Sequence, residues 1–139
     1  MCSSDLDPAG LYELRVLVVD NDRSILDAMQ VLLEQWGVRV STAHSSSEAL
    51  RLFETETYDA VLADHHLGGE SNGLKLIGRI REAQGAHYPA ALITADHDTK
   101  LTRAARGAGI SVLHKPLRPA ALRALLSAFK LRLTRGSAA

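Results

Sequence analysis

Five short runs of aliphatic and β-branched residues alternate strictly with segments of helical period, and that alternation leaves this chain few architectures. The runs are Leu14–Val19 (LRVLVV), Val38–Ala43, Tyr58–Ala63, Pro89–Thr94 and Ile110–His114. They are short and nearly continuous in apolar character, as strands covered on both faces are. The first helical segment, Ser24–Trp36, carries Ile25, Met29, Leu32, Leu33 and Trp36 at three- and four-residue spacing and closes on Gly37. A second runs through about Thr55 from N-cap candidates among Ser45, Ser46 and Ser47, with Ala49, Leu50 and Phe53 on one side. Leu74–Ala83, Asp98–Ala108 and Pro119–Leu133 complete the set, the last opened by proline in its first turn.

Strands separated by helices form a parallel sheet with helices on both faces, and right-handed crossovers leave chiefly doubly wound topologies. The expectation is an α/β, flavodoxin-like fold with strand order 2-1-3-4-5 and five helices. In such sheets ligands bind beyond the carboxyl ends of the strands, where the strand order reverses. The polar residues at those ends are therefore the ones to weigh.

The chain has 139 residues, enough for one domain with a real core. A hydrophobic fraction of 46% and a charged fraction of 23% are ordinary for a globular protein. Sixteen acidic and sixteen basic residues cancel, so no net field points to nucleic acid or an anionic membrane. Cys2 is the one cysteine, which excludes an internal disulfide and a multi-cysteine zinc site. No apolar run approaches the ~20 residues of a membrane span, and a signal-peptide core is lacking, so a cytoplasmic location is expected. Residues 1–13 read as a disordered or foreign segment, because Cys2–Leu6 (CSSDL) matches a translation of a common sequencing adapter. The natural chain is then expected to extend further. The domain is assigned to residues 14–133 and a frayed tail to residues 134–139.

Asp20, with Asn21 and Asp22, follows the first strand, and Asp64 follows the third; Thr94 ends the fourth and Lys115 follows the fifth. With the order 2-1-3-4-5, Asp20 and Asp64 face each other across the switch point. Two carboxylates this close raise each other's pKa unless a cation intervenes. Magnesium suits such oxygens, taking one or two carboxylates and leaving room for phosphate. Lys115 adds a fixed positive charge and Thr94 a hydroxyl donor. A carboxylate nucleophile, a divalent metal, an ammonium and a hydroxyl are the parts needed to take up a phosphoryl group.

The motifs VLVVDND, VLAD, LITAD and GAGISVLHKPL, in this order and spacing, resemble the receiver domain of two-component response regulators over about Leu14 to Leu133. The flavour of the first helix and of ALITAD is most similar to receivers at the C-terminus of hybrid histidine kinases. The resemblance implies that Asp64 is the phosphoacceptor and that Asp20, Asn21, Asp64 and the backbone carbonyl of His66 hold Mg2+ (or Mn2+). It implies that Thr94 and Lys115 contact the phosphoryl group and that Lys115-Pro116 is a cis bond. The phosphoryl donor would be a histidine kinase or histidine phosphotransfer domain, with a downstream protein partner unnamed and no DNA-binding domain following.

Three departures stand out. Asn21 occupies a position that is usually acidic, and Asp22 either compensates or caps the following helix. The loop HHLGGESNG lacks the usual proline and is one residue longer. Val112 replaces a frequent aromatic switch residue. The side chains of His66 and Asp96, each two positions beyond a site residue, are expected to border the path of hydrolytic water. Consecutive Asp64, His65 and His66 diverge, so a transition-metal site built with His97 is not expected. His44, His87 and His114 read as surface or partly packed. Two other functions fit parts of this pattern: an unphosphorylated pseudo-receiver, suggested by Asn21 and Val112, and a metal-dependent hydrolase using Asp20, Asp64 and the histidines.

Overall fold

A computed structural model describes residues 11–68, 71–95, 97 and 99–138, with side chains through Leu133. The five apolar runs become strands β1 (Arg15–Val19), β2 (Arg39–Ala43), β3 (Ala60–Asp64), β4 (Ala90–Thr94) and β5 (Ser111–His114). Helices α1 (Arg23–Glu34), α2 (Ser46–Thr55), α3 (Gly73–Gln84), α4 (Thr99–Gly107) and α5 (Pro119–Ala138) follow them in turn. All neighbouring strands are parallel, in the order β2-β1-β3-β4-β5. That is the doubly wound order expected from the alternation.

Burial explains why the runs read as continuous. Every residue of β3 and β4 is buried, because helices cover both sides of the sheet. Val16, Val18, Leu62 and Ile93 pack with Leu26, Met29 and Leu33 of α1 and Leu122, Leu126 and Phe129 of α5. The alternate residues Leu17, Val19, Val61 and Leu92 pack on the other side with Leu76, Ile77 and Ile80 of α3 and Ala105 of α4. The period of two within each strand thus feeds two separate cores.

Helix starts follow local chemistry. Ser45 accepts from the Glu48 backbone N–H at 3.1 Å, and Asn72 from that of Lys75 at 2.8 Å, which satisfies two otherwise orphaned donors. Asp22 takes the same role for α1, accepting from the Ser24 N–H at 3.0 Å and its hydroxyl at 2.7 Å. One oxygen of the Asp22 side chain, Oδ1, is thus engaged in capping α1.

Both domain ends differ from expectation. Leu11 is buried in the α1–α5 core, Glu13 N–H donates to the Gly37 carbonyl at 2.9 Å, and Lys130 Nζ donates to the Tyr12 carbonyl at 3.1 Å. The folded unit thus begins by Leu11, held by contacts distant in sequence, while residues 1–10 lie outside the described residues. At the other end the α5 backbone continues past Leu133 to Ala138, since no proline interrupts it. Among the described residues no helix is long and apolar enough to cross a membrane.

Candidate functional site

The carboxyl edge of the sheet is held in register by backbone bonds that continue each ladder past its last strand residue. Asp20 N–H donates to Ala43 O (3.1 Å), His65 N–H to Ile93 O (2.8 Å) and Lys115 N–H to Thr94 O (2.9 Å). The ends of β1, β3 and β5 thereby place Asp20, Asp64 and Lys115 on one rim, with Thr94 at the end of β4 between the last two.

Asp20 and Asp64 are 3% and 4% exposed, and Thr94 is fully buried. Carboxylates this buried need partners. Asp64 Oδ1 lies 2.8 Å from Lys115 Nζ, and its Oδ2 accepts the His66 backbone N–H at 3.1 Å. Asp20 Oδ1 accepts the Asp22 N–H at 2.9 Å, whereas its Oδ2 is a looser 3.6 Å from Lys115 Nζ. Burial pushes the pKa of Asp20 up, the Asp22 N–H lowers it, and the charge of Asp64 raises it further against the pull of Lys115; the net direction is upward. For Lys115 burial works to lower the pKa, but the hydrogen bond and charge of Asp64, followed by Asp20, prevail and raise it.

These donors suit a hard divalent cation. Asp20 keeps acceptor capacity on a loosely paired oxygen, and burial first, then the charge of Asp64, leaves its ionised form in want of a cation. Asn21 is exposed, and the open side of Gly68 (φ 89°) faces its amide: a Cβ there would lie 3.9 Å from Asn21 Nδ2. Asp20, Asn21, Asp64 and the His66 carbonyl are the oxygens that could hold magnesium.

The other expected positions fall as follows. Lys115-Pro116 is cis. Val112 is half-buried against the α3–α4 side of the sheet, paired in register with Leu92. The His66 ring is exposed and meets the His65 ring edge-on at 5.1 Å, while His97 stacks on His114 at 5.1 Å. Among the described residues no three histidine, cysteine or acidic side chains converge as a metal site. Asp96 lies outside the described residues.

Gly73, read from the sequence only as loop, matters to the site. Its N–H donates to His65 O at 3.0 Å, and a Cβ on it would collide with the Asp64 carbonyl and meet Leu92 Cδ1 at 2.8 Å. Only a glycine lets α3 start directly against the backbone of Asp64. The signal available was Asn72-Gly73, a capping residue and a glycine just ahead of an apolar helical stripe.

Residues 16–127 match the family described as response regulator receiver domain, and the chain belongs to that family. It is 33% identical over 118 residues to the sensory/regulatory protein RpfC of Xanthomonas campestris, an alignment that covers 82% of this chain and 16% of RpfC. It is also 33% identical over 111 residues to the alginate biosynthesis transcriptional regulatory protein AlgB of Pseudomonas putida, covering 78% of this chain and 24% of AlgB. The chain thus spans a minor part of these relatives. A receiver domain protein of Clostridium thermocellum superposes with a TM-score of 0.80 at 27% identity, covering 87% of this chain and 97% of that one.

Proposed function

We propose that this receiver domain accepts a phosphoryl group on Asp64 from a phosphohistidine of a histidine kinase or histidine phosphotransfer domain. The observation that carries this reading is the environment of Asp64: a buried carboxylate touched by the ammonium of Lys115 on one oxygen and a backbone N–H on the other. One Asp64 oxygen forms the new O–P bond while the N–P bond of the phosphohistidine breaks, and the leaving imidazole keeps the electron pair and takes a proton. Hydrolysis returns the carboxylate and releases inorganic phosphate.

The residues of the chain mainly position and stabilise charge, as phosphoryl transfer requires. Lys115 is already at the carboxylate and would follow a phosphoryl oxygen. Thr94, fixed at the end of β4, supplies its hydroxyl to another. Magnesium (or manganese), held by Asp20, Asn21, Asp64 and the His66 carbonyl, would neutralise charge between the carboxylate and the incoming group. The exposed His66 ring stands beside the site, where it would meet attacking water. The similarity to RpfC fits a place within a longer signalling protein, such as the receiver of a hybrid histidine kinase in the cytoplasm.

The test is incubation with a small-molecule phosphodonor and magnesium, followed by intact-mass measurement. A one-phosphoryl gain that disappears in Asp64→Asn is expected. Asn21 and Val112 favour a second reading, a pseudo-receiver that binds partners without phosphorylation. No mass gain under saturating donor, with partner binding intact, would select it.

A further inference from the structure

Helices α2 and α3 cover the same side of the sheet and run in the same direction, because each follows a parallel strand and crosses back over it. They do not close on each other. Two hollows of about 220 and 430 Å³ lie along their seam and share Arg79 as a lining residue, which makes them one groove.

The groove changes character along its length. Near the carboxyl edge of the sheet it is lined by Ser46, Ser71 and Lys75. Toward the opposite edge Leu50 and Phe53 of α2 and Ile80 and Ala83 of α3 line it, with Glu54 and Glu82 at the same end. Ser46, Leu50 and Phe53 recur at three- and four-residue spacing, as do Lys75, Arg79 and Ala83, so each helix presents one continuous stripe.

Charge is sorted along this groove and is unmet. Lys75, Arg79, Glu54 and Glu82 are exposed, and among the described residues none of them forms an ion pair. The helix dipoles have the same polarity. The positive amino ends of α2 and α3 lie toward Lys75, and their negative carboxyl ends toward Glu54 and Glu82.

The apolar end is fixed in place. Phe53 meets the rings of Tyr58 and Tyr88 edge-on at 5.2 and 5.8 Å, and the Tyr88 hydroxyl donates to the Tyr58 carbonyl at 2.6 Å. Phe53 is thus braced by residues at the starts of β3 and β4, yet it stays half-exposed. Covering a ring already held in this way costs little conformational freedom.

We propose that this groove docks a helix of a partner protein, running antiparallel to α2 and α3. An aromatic or leucine side chain of that helix would cover Phe53, Leu50 and Ala83. Arg79 and Lys75 lie about one and two turns from Ala83, so carboxylates at that spacing toward the partner's carboxyl end would meet them. The partner's own dipole then has its negative end at Lys75 and its positive end at Glu54 and Glu82. An inorganic anion would use the two cations and leave the apolar end uncovered.

The experiment uses the unphosphorylated chain, so its outcome does not depend on Asp64. A fluorescein-labelled synthetic helix carries lysines in its first turn, phenylalanine and leucine at three- and four-residue spacing, and glutamates in its last turns. A control peptide exchanges the lysines and glutamates. The control is the better helix in isolation, since its end charges complement its own dipole, so weaker binding cannot come from lost helicity. By anisotropy the first peptide is expected to bind, with amide shifts at Ser46, Leu50, Arg79 and Ala83. The control should bind at least about tenfold more weakly, the loss expected from reversed charges at an interface. Lys75→Glu/Arg79→Glu should invert that order, which a folding defect could not do. Ala83→Gln, exposed at the apolar end, should weaken binding of the first peptide, and Arg103→Glu on α4 should leave it unchanged. No binding, equal binding of the two peptides, or an order unaffected by the double substitution overturns the proposal. So does displacement by inorganic phosphate beyond that by chloride of equal ionic strength, which marks a simple anion site. Self-association in sedimentation that the double variant abolishes would give the groove to a second copy and overturn it too.

Discussion

Lys115 Nζ and Asp64 Oδ1 are 2.8 Å apart although their strands are separated in the sheet by β4. The lysine side chain therefore reaches across one strand, and its ammonium also lies 3.6 Å from Asp20 Oδ2. One cation serves two buried carboxylates. Lys115→Met keeps the aliphatic stem and removes that cation, so the metal-free domain should lose about 2 kcal/mol, less than the roughly 3–5 kcal/mol of breaking a fully buried pair because the lysine is partly exposed. The lysine pKa is raised above 10.5, so its contribution is present below that value and is lost as pH rises through the folded pKa. Urea unfolding at pH 7 and at pH 11 checks both statements: the wild-type advantage should be large at pH 7 and shrink at pH 11.

Asn21→Asp adds a carboxylate beside Asp20 at an exposed position facing Gly68. Magnesium affinity should tighten several-fold, on the order of 1 kcal/mol for one partly screened charge. The metal-free domain should become less stable, because the new charge repels Asp20 and Asp64. Calorimetric titration with magnesium chloride reads the first effect and thermal unfolding in a chelator reads the second. An unchanged affinity would place Asn21 away from the cation.

The strands and the rim of the site were legible because both depend on local pattern. A buried parallel strand must be apolar along its length, so Asp20, Asp64 and Thr94 stand out as polar residues where such runs end. The docking of Leu11–Glu13 was not legible. It depends on Gly37 and on Lys130, 118 residues from Tyr12, and no periodicity encodes a contact of that separation. Gly73 was hidden for a similar reason: the backbone it must avoid belongs to another element.

Asp20 should show its cost in the pH dependence of stability. Its folded pKa is raised above 3.8, chiefly by burial, so protonation favours the folded state. Its contribution is fully present below 3.8 and is lost as pH rises through the folded value, which leaves the charged form a liability at neutral pH. Asp20→Asn removes the charge while an amide oxygen can still accept the Asp22 N–H. Without metal, the variant should be more stable than wild type at pH 7, because the buried charge is gone. The difference should vanish in acid below the unfolded pKa. With magnesium added the order should reverse, since only the wild type gains binding energy from the carboxylate. Urea midpoints from pH 3 to pH 8, with and without magnesium, test all three.

Gly73→Ala separates the geometry of the site from its charge. The substitution adds one methyl group and alters no titratable residue, yet that methyl would strike the Asp64 carbonyl and crowd Leu92. Either α3 moves outward or the end of β3 moves, and the His65 carbonyl that accepts the Gly73 N–H moves with it. Overpacking of this kind costs about 1–3 kcal/mol. The more telling effect should be on Asp64, whose Oδ2 is aligned by the His66 N–H one residue further along the same backbone. The rate of phosphoryl uptake from a small-molecule donor should fall by at least about tenfold under conditions where the variant is fully folded, the sensitivity expected of positioned groups to sub-ångström displacement. Gly78→Ala provides the control: it sits in the same helix with open space around its Cβ position, and should raise stability by about 0.5–1 kcal/mol through helix propensity while leaving uptake close to wild type. Equal uptake rates in the two variants would show that the close approach of α3 to the Asp64 backbone supports the fold without positioning the carboxylate.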